Sequence, residues 1–349
     1  MIRPRYTIAV TGLNVVDSPG PGIAVIRGLR ESTRFDVRII GLAYENMEPG
    51  IYMRDMVDKT YIIPYPSAGH QVLLERLQYI HHQEKLDIII PNFDAELIGF
   101  IRLQPVLQKM GIRSLLPGMD QFEERLKDRL PEYGKRYDVL VPTSEPVTTI
   151  SGLHEALKKF ELPVMVKGKF YEAYRAYSEE QAVAYFHKLS AKWGTPVILQ
   201  QYIAGQEYNV TALGDGKGGL IGAVPMRKTF ITESGKGWAG ITIADQGLLD
   251  MARHIVTQTH WAGGMELELM KEEKTGKVYL LEINPRFPAW VYLATGAGQN
   301  HPEALVRLVM GDNPEPMTQY KTGTMFIRYA YDMICNLEDY ASISTTGEL

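Results

Sequence analysis

The chain has 349 residues, 45% hydrophobic and 22% charged, with a formal net charge of −4 and a pI of about 6.1. Single cores stop growing at about 250–300 residues, so two or three lobes are expected. The mildly acidic balance and the lack of any Lys/Arg run argue against a nucleic-acid partner. The single cysteine, Cys335, excludes an intramolecular disulfide and a thiolate zinc site, and reads as a small buried hydrophobe. The opening "MIRPRYTIAVTG" is too short in its apolar run for a signal segment, and no stretch reaches the ~18 apolar residues of a membrane span. A cytoplasmic location with no membrane partner is therefore expected, and "NVT" at 209–211 is read as strand sequence rather than a glycosylation acceptor.

In chain order, "YTIAVTG" (6–12) is a compact strand ending in Gly12. A Gly/Pro-rich turn leads into a helix with Ile23, Ile26 and Leu29 on one side. Strands follow at 35–42 and 58–66, an amphipathic helix at 71–85, and a fourth strand at 86–96 with polar residues at its C-terminal end. Such alternation implies a parallel sheet with helices on both faces. Gly12, Gly20 and Gly22 do not match the spacing of a dinucleotide fingerprint, and a tight first turn needs glycine in any case.

Residues 121–147 read as a charged connecting helix broken near Pro131, with "VPTSEPV" as the boundary. A small α+β block comes next: a helix, a strand over 164–167 ending in Lys167, a helix over 179–193, and a strand from 196 that breaks at Gly205. A larger α+β block has strands at 207–213 and 219–226, then a polar loop at 228–240, a helix over 246–261, strands at 264–270 and 277–283, and a helix at 301–311. The tail from 317 offers one strand-like piece, "GTMFIRYAY".

The strands "GMELELM" (264–270) and "GKVYLLEIN" (276–284), joined by "KEEKTG", suggest an antiparallel hairpin. Glu282 follows Glu268 by 14 positions, so the two can lie across from each other on one face. Adjacent carboxylates repel unless a cation sits between them. Asn284 shares the face of Glu282 by the period of two and adds a carbonyl oxygen. Two carboxylates and an amide suit Mg²⁺, which is held by few protein groups plus phosphate oxygens. A solvated acidic face is the alternative from spacing alone.

"LLEINPR" together with "MELEL" resembles the ATP-grasp superfamily, in the flavour of biotin carboxylase and the carbamoyl-phosphate synthase large subunit. The resemblance runs over roughly 1–312. It implies an α/β and α+β architecture: a Rossmann-like preATP-grasp domain (1–118), a connecting segment (119–143), a central lobe (144–205), a larger C-terminal lobe (206–312) and an extension (313–349). It implies ATP and Mg²⁺ as cofactors, with Mn²⁺ able to substitute. Glu268, Glu282 and Asn284 would hold the metal, and Arg286 would meet the γ-phosphate or an acyl phosphate. Lys167 resembles the strand-end lysine that contacts the α/β-phosphates. In "ILQQYIAGQE", Gln200 stands where the family has Glu, the backbones of Gln201 and Ile203 would bind the adenine edge, and Glu207 would take the ribose hydroxyls. Arg129, in "KDRL", occupies the place of the family's first lysine.

The sequence departs from that pattern after Lys167, where "KGKFYEAYRAYSEE" (167–180) has only Gly168 instead of a Gly-rich phosphate loop. Lys169 or Arg175 is expected to substitute with side chains, or this segment, with Tyr171 and Tyr174, to read the substrate. Arg227, Lys228 and Lys236, in the 224–240 loop, are candidate anion contacts, Lys228 with a catalytic role, against the reading of a solvated loop. Trp290 in "FPAW" either walls a substrate or packs in the core. The implied activity is an ADP-forming ligase joining a small-molecule or peptide carboxylate to an amine or other nucleophile, as a homodimer. A bicarbonate-activating enzyme and a non-catalytic ATP-binding regulatory module are the alternatives. Only one copy of the unit is present, which argues against a full carbamoyl-phosphate synthase.

Overall fold

The structure is a computed structural model that describes residues 3–169 and 172–349. Its first segment runs β1 (Arg5–Val10), a ribbon of β2 (Val15–Val16) and β3 (Ser18–Pro19), α1 (Pro21–Arg30), β4 (Asp36–Ala43), β5 (Lys59–Ile62), α2 (His70–Glu84), β6 (Ile88–Ile90) and α3 (Asp94–Lys109). The sheet order is β5-β4-β1-β6, with every pairing parallel. The chain therefore changes its direction of growth between β1 and β6. Gly22 lies against the end of β1. Its N–H donates to the Gly12 carbonyl at 2.9 Å, and a Cβ there would stand 2.2 Å from the Thr11 carbonyl oxygen. These glycines serve the close approach of α1 to β1.

The fourth strand is shorter than the expected 86–96. Pairing stops at Ile90, and the polar residues beyond it open α3 instead. Glu96 is buried and accepts from the backbone N–H groups of Asn92 (2.7 Å) and Phe93 (3.0 Å) and from the hydroxyls of Thr11 (2.5 Å) and Tyr44. This ties the ends of three parallel strands to one helix N-terminus. Burial pushes the Glu96 carboxyl up, and these donors oppose it.

The second segment holds α4 (Met119–Glu124), α5 (Leu130–Tyr137), β7 (Ser144–Val147), α6 (Ile150–Leu157), β8 (Val164–Lys167), β9 (Ala173–Ala176), α7 (Glu179–Trp193) and β10 (Val197–Gln201). Pro131 does not break a helix: it sits in the first turn of α5, where its missing N–H costs nothing, and the break precedes it. The "SEPV" of the expected boundary is the edge strand of an antiparallel sheet ordered β7-β10-β8-β9, covered by α6 and α7. Part of the stretch read as a loop over 167–180 is strand, with β9 paired antiparallel to β8. Tyr171 lies outside the described residues.

The last segment contains β11 (Gly205–Asp215), β12 (Leu220–Ile231), β13 (Gly237–Thr242), α8 (Gln246–Thr259), β14 (Ala262–Glu272), β15 (Val278–Asn284), α9 (Tyr292–Gly296), α10 (His301–Val309), β16 (Met325–Ile327) and α11 (Leu337–Thr346). The strand order is β15-β14-β11-β12-β13-β16. The expected polar loop at 228–240 is also a hairpin, since β12 and β13 pair from Met226 to Ile231. Its turn bonds to the ribbon: Thr232 donates to Asp17 at 2.7 Å, Ser234 also donates to Asp17, and Lys236 donates to the Val16 carbonyl at 2.9 Å. The tail is more ordered than its composition suggests. Thr60 and Leu349 exchange backbone hydrogen bonds of 2.7 and 3.0 Å, and the Ile62 N–H donates to the Gly347 carbonyl at 2.8 Å, which covers the outer edge of β5. Cys335 is exposed, contrary to expectation. Among the described residues no helix is long and apolar enough to cross a membrane.

The chain divides into two compact units: residues 1–119, 210–266 and 284–349 form unit 1, and residues 120–209 and 267–283 form unit 2.

Within unit 1, Glu48 is only 5% exposed, and burial pushes its carboxyl up to about 7 against two backbone donors, Tyr44 and Glu45. The folded pKa exceeds the ordinary value of 4.5, so this group's contribution is fully present below about pH 4.5 and is lost as pH rises through 7. Glu48→Gln should therefore gain up to about 3 kcal/mol over the wild type at pH 8 and little at pH 4.5, read from urea denaturation at both pH values. Equal differences at the two pH values would contradict the burial of an ionised Glu48.

Candidate functional site

In unit 2, the period of two along β8 sends Val164 and Val166 into the core under the helices, and Lys167 to the opposite face at the strand end. The charged groups that act on Lys167 include Lys127, Glu282, Glu268 and Glu207. Burial pushes the Lys167 ammonium down, Lys127 pushes it further, and the three carboxylates oppose both. Glu282 is driven up first by burial, is repelled by Glu268, and is pulled back by Lys127 and Lys167. The Lys127 ammonium lies 3.1 Å from a Glu282 carboxylate oxygen. The group is thus two cations threaded among three anions.

In unit 1, Asn284 donates its amide to Glu266 at 3.1 Å. In unit 2, Glu268 lies close enough to Glu282 to repel it. Glu266 also accepts from the Trp290 indole at 2.7 Å and pairs with the Arg286 guanidinium at 3.5 Å. Arg286 donates from Nε to Asp94 at 3.2 Å and from Nη1 to its neighbour's carbonyl, Phe287 O, at 3.3 Å.

The structure gathers Lys167, Glu207, Glu268 and Glu282 in unit 2, and Asn284 with Arg286 in unit 1. Other expected residues are placed differently. Arg129 makes an exposed ion pair with Glu123 at 3.4 Å and does not reach the Lys167 group; Lys127, two residues earlier, does. The turn between α4 and α5 turns Lys127 inward and leaves Arg129 outside, a parity that a continuous-helix reading conceals. Gln200 is buried and donates to the Ser144 hydroxyl at 2.9 Å. The Gln201 N–H donates to the Thr143 carbonyl at 2.8 Å. Ile203 is buried in the turn between β10 and β11. Lys169 is exposed beyond β8. Arg175 stacks 4.2 Å over Tyr202 and donates to the Tyr177 hydroxyl at 3.0 Å. Lys228 lies in β12 opposite Gly240, Arg227 is exposed, and Lys236 is used in the hairpin turn. Trp290 is buried and packs with Met226 and Leu293. Glu266 and Asp94 went unnoticed, although the alternation in "MELELM" puts Glu266 on the face of Glu268.

Among the described residues no three His, Cys, Asp or Glu side chains form a cage that could hold a metal alone. The donor chemistry fits Mg²⁺ nonetheless, because that ion takes one or two carboxylates and draws its remaining ligands from water and phosphate. The ammonium of Lys127 already marks a position beside Glu282 where positive charge is stabilised.

This combination of a parallel three-layer domain, a small antiparallel lobe and a large sheet with acids at its strand ends is the ATP-grasp fold. The Campylobacter jejuni biotin carboxylase is similar, with a TM-score of 0.70 and 14% identity over 91% of this chain and 74% of that one. The biotin carboxylase domain of the Hydrogenobacter thermophilus 2-oxoglutarate carboxylase, a dimer in complex with MgADP, ADP and bicarbonate, has a TM-score of 0.68 and 17% identity over 91% and 73%. Staphylococcus aureus N5-carboxyaminoimidazole synthetase has a TM-score of 0.66 and 16% identity over 90% and 81%. At these identities the likeness is one of fold. More particularly, residues 194–330 match the family described as "ATP-grasp in the biosynthetic pathway with Ter operon".

The charge placement is open to measurement. In a double-mutant cycle, Lys127→Met and Glu282→Gln should couple by about 1–2 kcal/mol in urea denaturation at pH 7, because the pair is partly buried. Arg129→Met and Glu123→Gln, both half exposed, should couple by less than about 0.5 kcal/mol. Additive effects at Lys127 and Glu282 would remove Lys127 from the site.

Proposed function

We propose that the protein is an ADP-forming, ATP-dependent ligase that activates a carboxylate as an acyl phosphate and joins it to an amine. The observation that carries this reading is the gathering of Lys127 and Lys167 with Glu207, Glu268 and Glu282 in unit 2. A triphosphate and its metal need this mixture: cations against phosphate oxygens, carboxylates against Mg²⁺, and an acid for the ribose hydroxyls. Transfer of a γ-phosphoryl group is mostly positioning and charge stabilisation, so residues of these types suffice without a covalent intermediate on the protein.

In the proposed reaction, an oxygen of the substrate carboxylate attacks the γ-phosphorus and ADP leaves. The nitrogen of the amine then attacks the acyl carbon, and inorganic phosphate leaves. Lys127 and Lys167 bind phosphate oxygens, and Glu207 accepts from the ribose hydroxyls. Glu268 and Glu282 would hold Mg²⁺, and the carbonyl oxygen of Asn284 would be a further ligand. When bound, that ion neutralises phosphate charge. Arg286 stabilises the transferred phosphoryl group. The relatives' names favour small acids, and bicarbonate is itself an acid that the same first step would activate. The family description supports a biosynthetic role.

The test is ADP and phosphate release with Mg·ATP against a panel of amino acids, small carboxylates and bicarbonate, singly and in pairs with amines. Release that requires one acid and rises with one amine is the expected result. Tight ATP binding with no release under any pairing would point to the regulatory module instead. Glu282→Ala should abolish turnover with the fold retained, and unchanged ADP release from that variant would remove Glu282 from the metal site. Lys167→Ala should weaken ATP binding by at least about tenfold in a calorimetric titration, the equivalent of one charged hydrogen bond.

A further inference from the structure

Among the described residues, β16 is a terminal strand of its sheet, with β13 as its one neighbour, and β12, β13 and β16 all lie in unit 1. The backbone fixes which groups of β16 face outward. The Thr242 N–H donates to the Thr324 carbonyl at 2.9 Å, and the Arg328 N–H donates to the Trp238 carbonyl at 2.9 Å. Backbone groups alternate sides along an antiparallel strand, so 324, 326 and 328 bond toward β13. Met325 and Ile327 therefore turn their N–H and C=O groups to the open side. Side chains alternate as well. Phe326 packs with Met226, Trp290 and Leu293, and the Arg328 guanidinium lies over the Phe326 ring at 5.7 Å. The other set is apolar and in water: Met325 is exposed and Ile327 is 74% exposed. Past the strand, Tyr329 is 78% exposed and stacks on the exposed Tyr331 at 5.8 Å.

Edge strands in monomers are blunted by Pro, Lys, bulges or a covering segment. The stretch "TMFIRYAY" (324–331) has no Pro, Lys or Gly, and its one charge lies on the Phe326 side. The chain treats its other sheet differently, covering the outer edge of β5 with its own C-terminal residues. We propose that β16 is the interface of a homodimer, pairing antiparallel with β16 of a second copy across a two-fold axis at Ile327.

An edge with no outward charge gives a charged peptide nothing to pair with, whereas its own copy sets apolar against apolar. The centre of the exposed run 325–331 is Arg328, but an axis there would place Arg328 opposite itself, and like charges directly opposite are destabilising. A step to Ile327 avoids this. It places Ile327 opposite the partner's Ile327, and Met325 opposite the partner's Tyr329, a favourable sulfur–aromatic pair. Met325, Ile327, Tyr329, Tyr331, Ile334 and Leu337 are all exposed. At roughly 150–200 Å² for each whole side chain they present about 700 Å², near the ~800 Å² per partner of a specific interface. A two-fold pairing also closes, since each edge consumes the other and none is left to grow a filament. The proposal goes beyond the ligase reading and does not depend on it.

The test is sedimentation equilibrium of the full chain from about 1 to 100 μM, a range that spans micromolar association. The wild type should be dimeric at the upper end. Ile327→Lys should weaken association by at least tenfold with the circular dichroism unchanged, because it sets two ammonium groups face to face. Phe230 is also exposed and shares the face of Ile327 across Ala239, two strands in from the edge. Phe230→Lys should leave the association unchanged. In a Cys335→Ser background, Ile327→Cys should form a disulfide-linked dimer on mild oxidation, since directly opposed Cα atoms lie about 5.5 Å apart. Tyr331→Cys should not, because it stands roughly 26 Å along the strands from its copy. A wild type that stays monomeric at about 100 μM overturns the proposal, as does a dimer that Ile327→Lys leaves intact. Equal loss of the dimer in Phe230→Lys would make the contact one of sheet faces and overturns the edge pairing. An Ile327→Cys dimer that fails to cross-link overturns it too.

Discussion

The repulsion between Glu268 and Glu282 is the constraint around which unit 2 is arranged. β14 and β15 put the two carboxylates side by side and partly out of water, where like charges raise each other's energy and desolvation adds to the cost. A hydrophobic replacement at either strand would remove that cost, yet the chain retains both acids and brings two lysines to them. Lys127 arrives from a helix–helix turn and Lys167 from the end of β8, two elements far apart in sequence. Burial already pushes Lys167 down, and the acids oppose that shift. The group is stable as a set, and partial removal is worse than full removal, as for other buried ionic networks. Such a set is weak ground for stability and stronger ground for a charged ligand whose binding redistributes the same charges.

The same strand pair carries a second network two residues further on, and the contrast between them is informative. Around Lys167 the contacts are ionic and rearrangeable, since ammonium groups have no directional fork. Around Glu266 they are directional: an indole, an amide and a guanidinium, each with fixed donor geometry. Arg286 is held on both sides by Glu266 and Asp94, and Asp94 opens α3, whose N-terminus Glu96 ties to the strand ends. The orientation of Arg286 is therefore set by the parallel sheet as much as by its own strand. Pre-placing an arginine in this way removes side-chain entropy that ligand binding would otherwise have to overcome.

Periodicity made most of this legible in the sequence. The helix at 179–193 and the strand end at Lys167 emerge from apolar spacing alone, because both are amphipathic and bounded by polar residues. The acids at 268 and 282 were legible for the same reason, being fixed by alternation on two strands with a short turn. Arg129 was assigned from its place in "KDRL", and the turn after Glu124 leaves it in an exposed ion pair while Lys127 is the cation beside Glu282. Two expected loops proved to be hairpins. Their residues are polar because one face is exposed, and their pairing depends on neighbouring strands that no local window contains. The C-terminal residues cover β5 through backbone bonds, which leave no mark on side-chain composition. Glu266 was overlooked because its meaning lies in three partners at 284, 286 and 290, which only the strand pairing brings to it.

The glycine-poor connection after Lys167 follows the same logic. A glycine-rich loop binds phosphate with backbone N–H groups and needs the conformational freedom that glycine provides. Here the Gly168 N–H is already used, donating to the Glu172 carbonyl at 2.9 Å. Glu172 takes a left-handed backbone conformation that most side chains avoid, and its carboxylate bonds to Lys192 and to the Tyr174 hydroxyl. Tyr174 in turn stacks on Tyr185 at 4.8 Å and lies under the Lys188 ammonium. The hairpin is thus braced against α7 by side chains, at the expense of backbone donors. The lysines at 127 and 167 are set among the acids despite the electrostatic cost of placing two ammonium groups together.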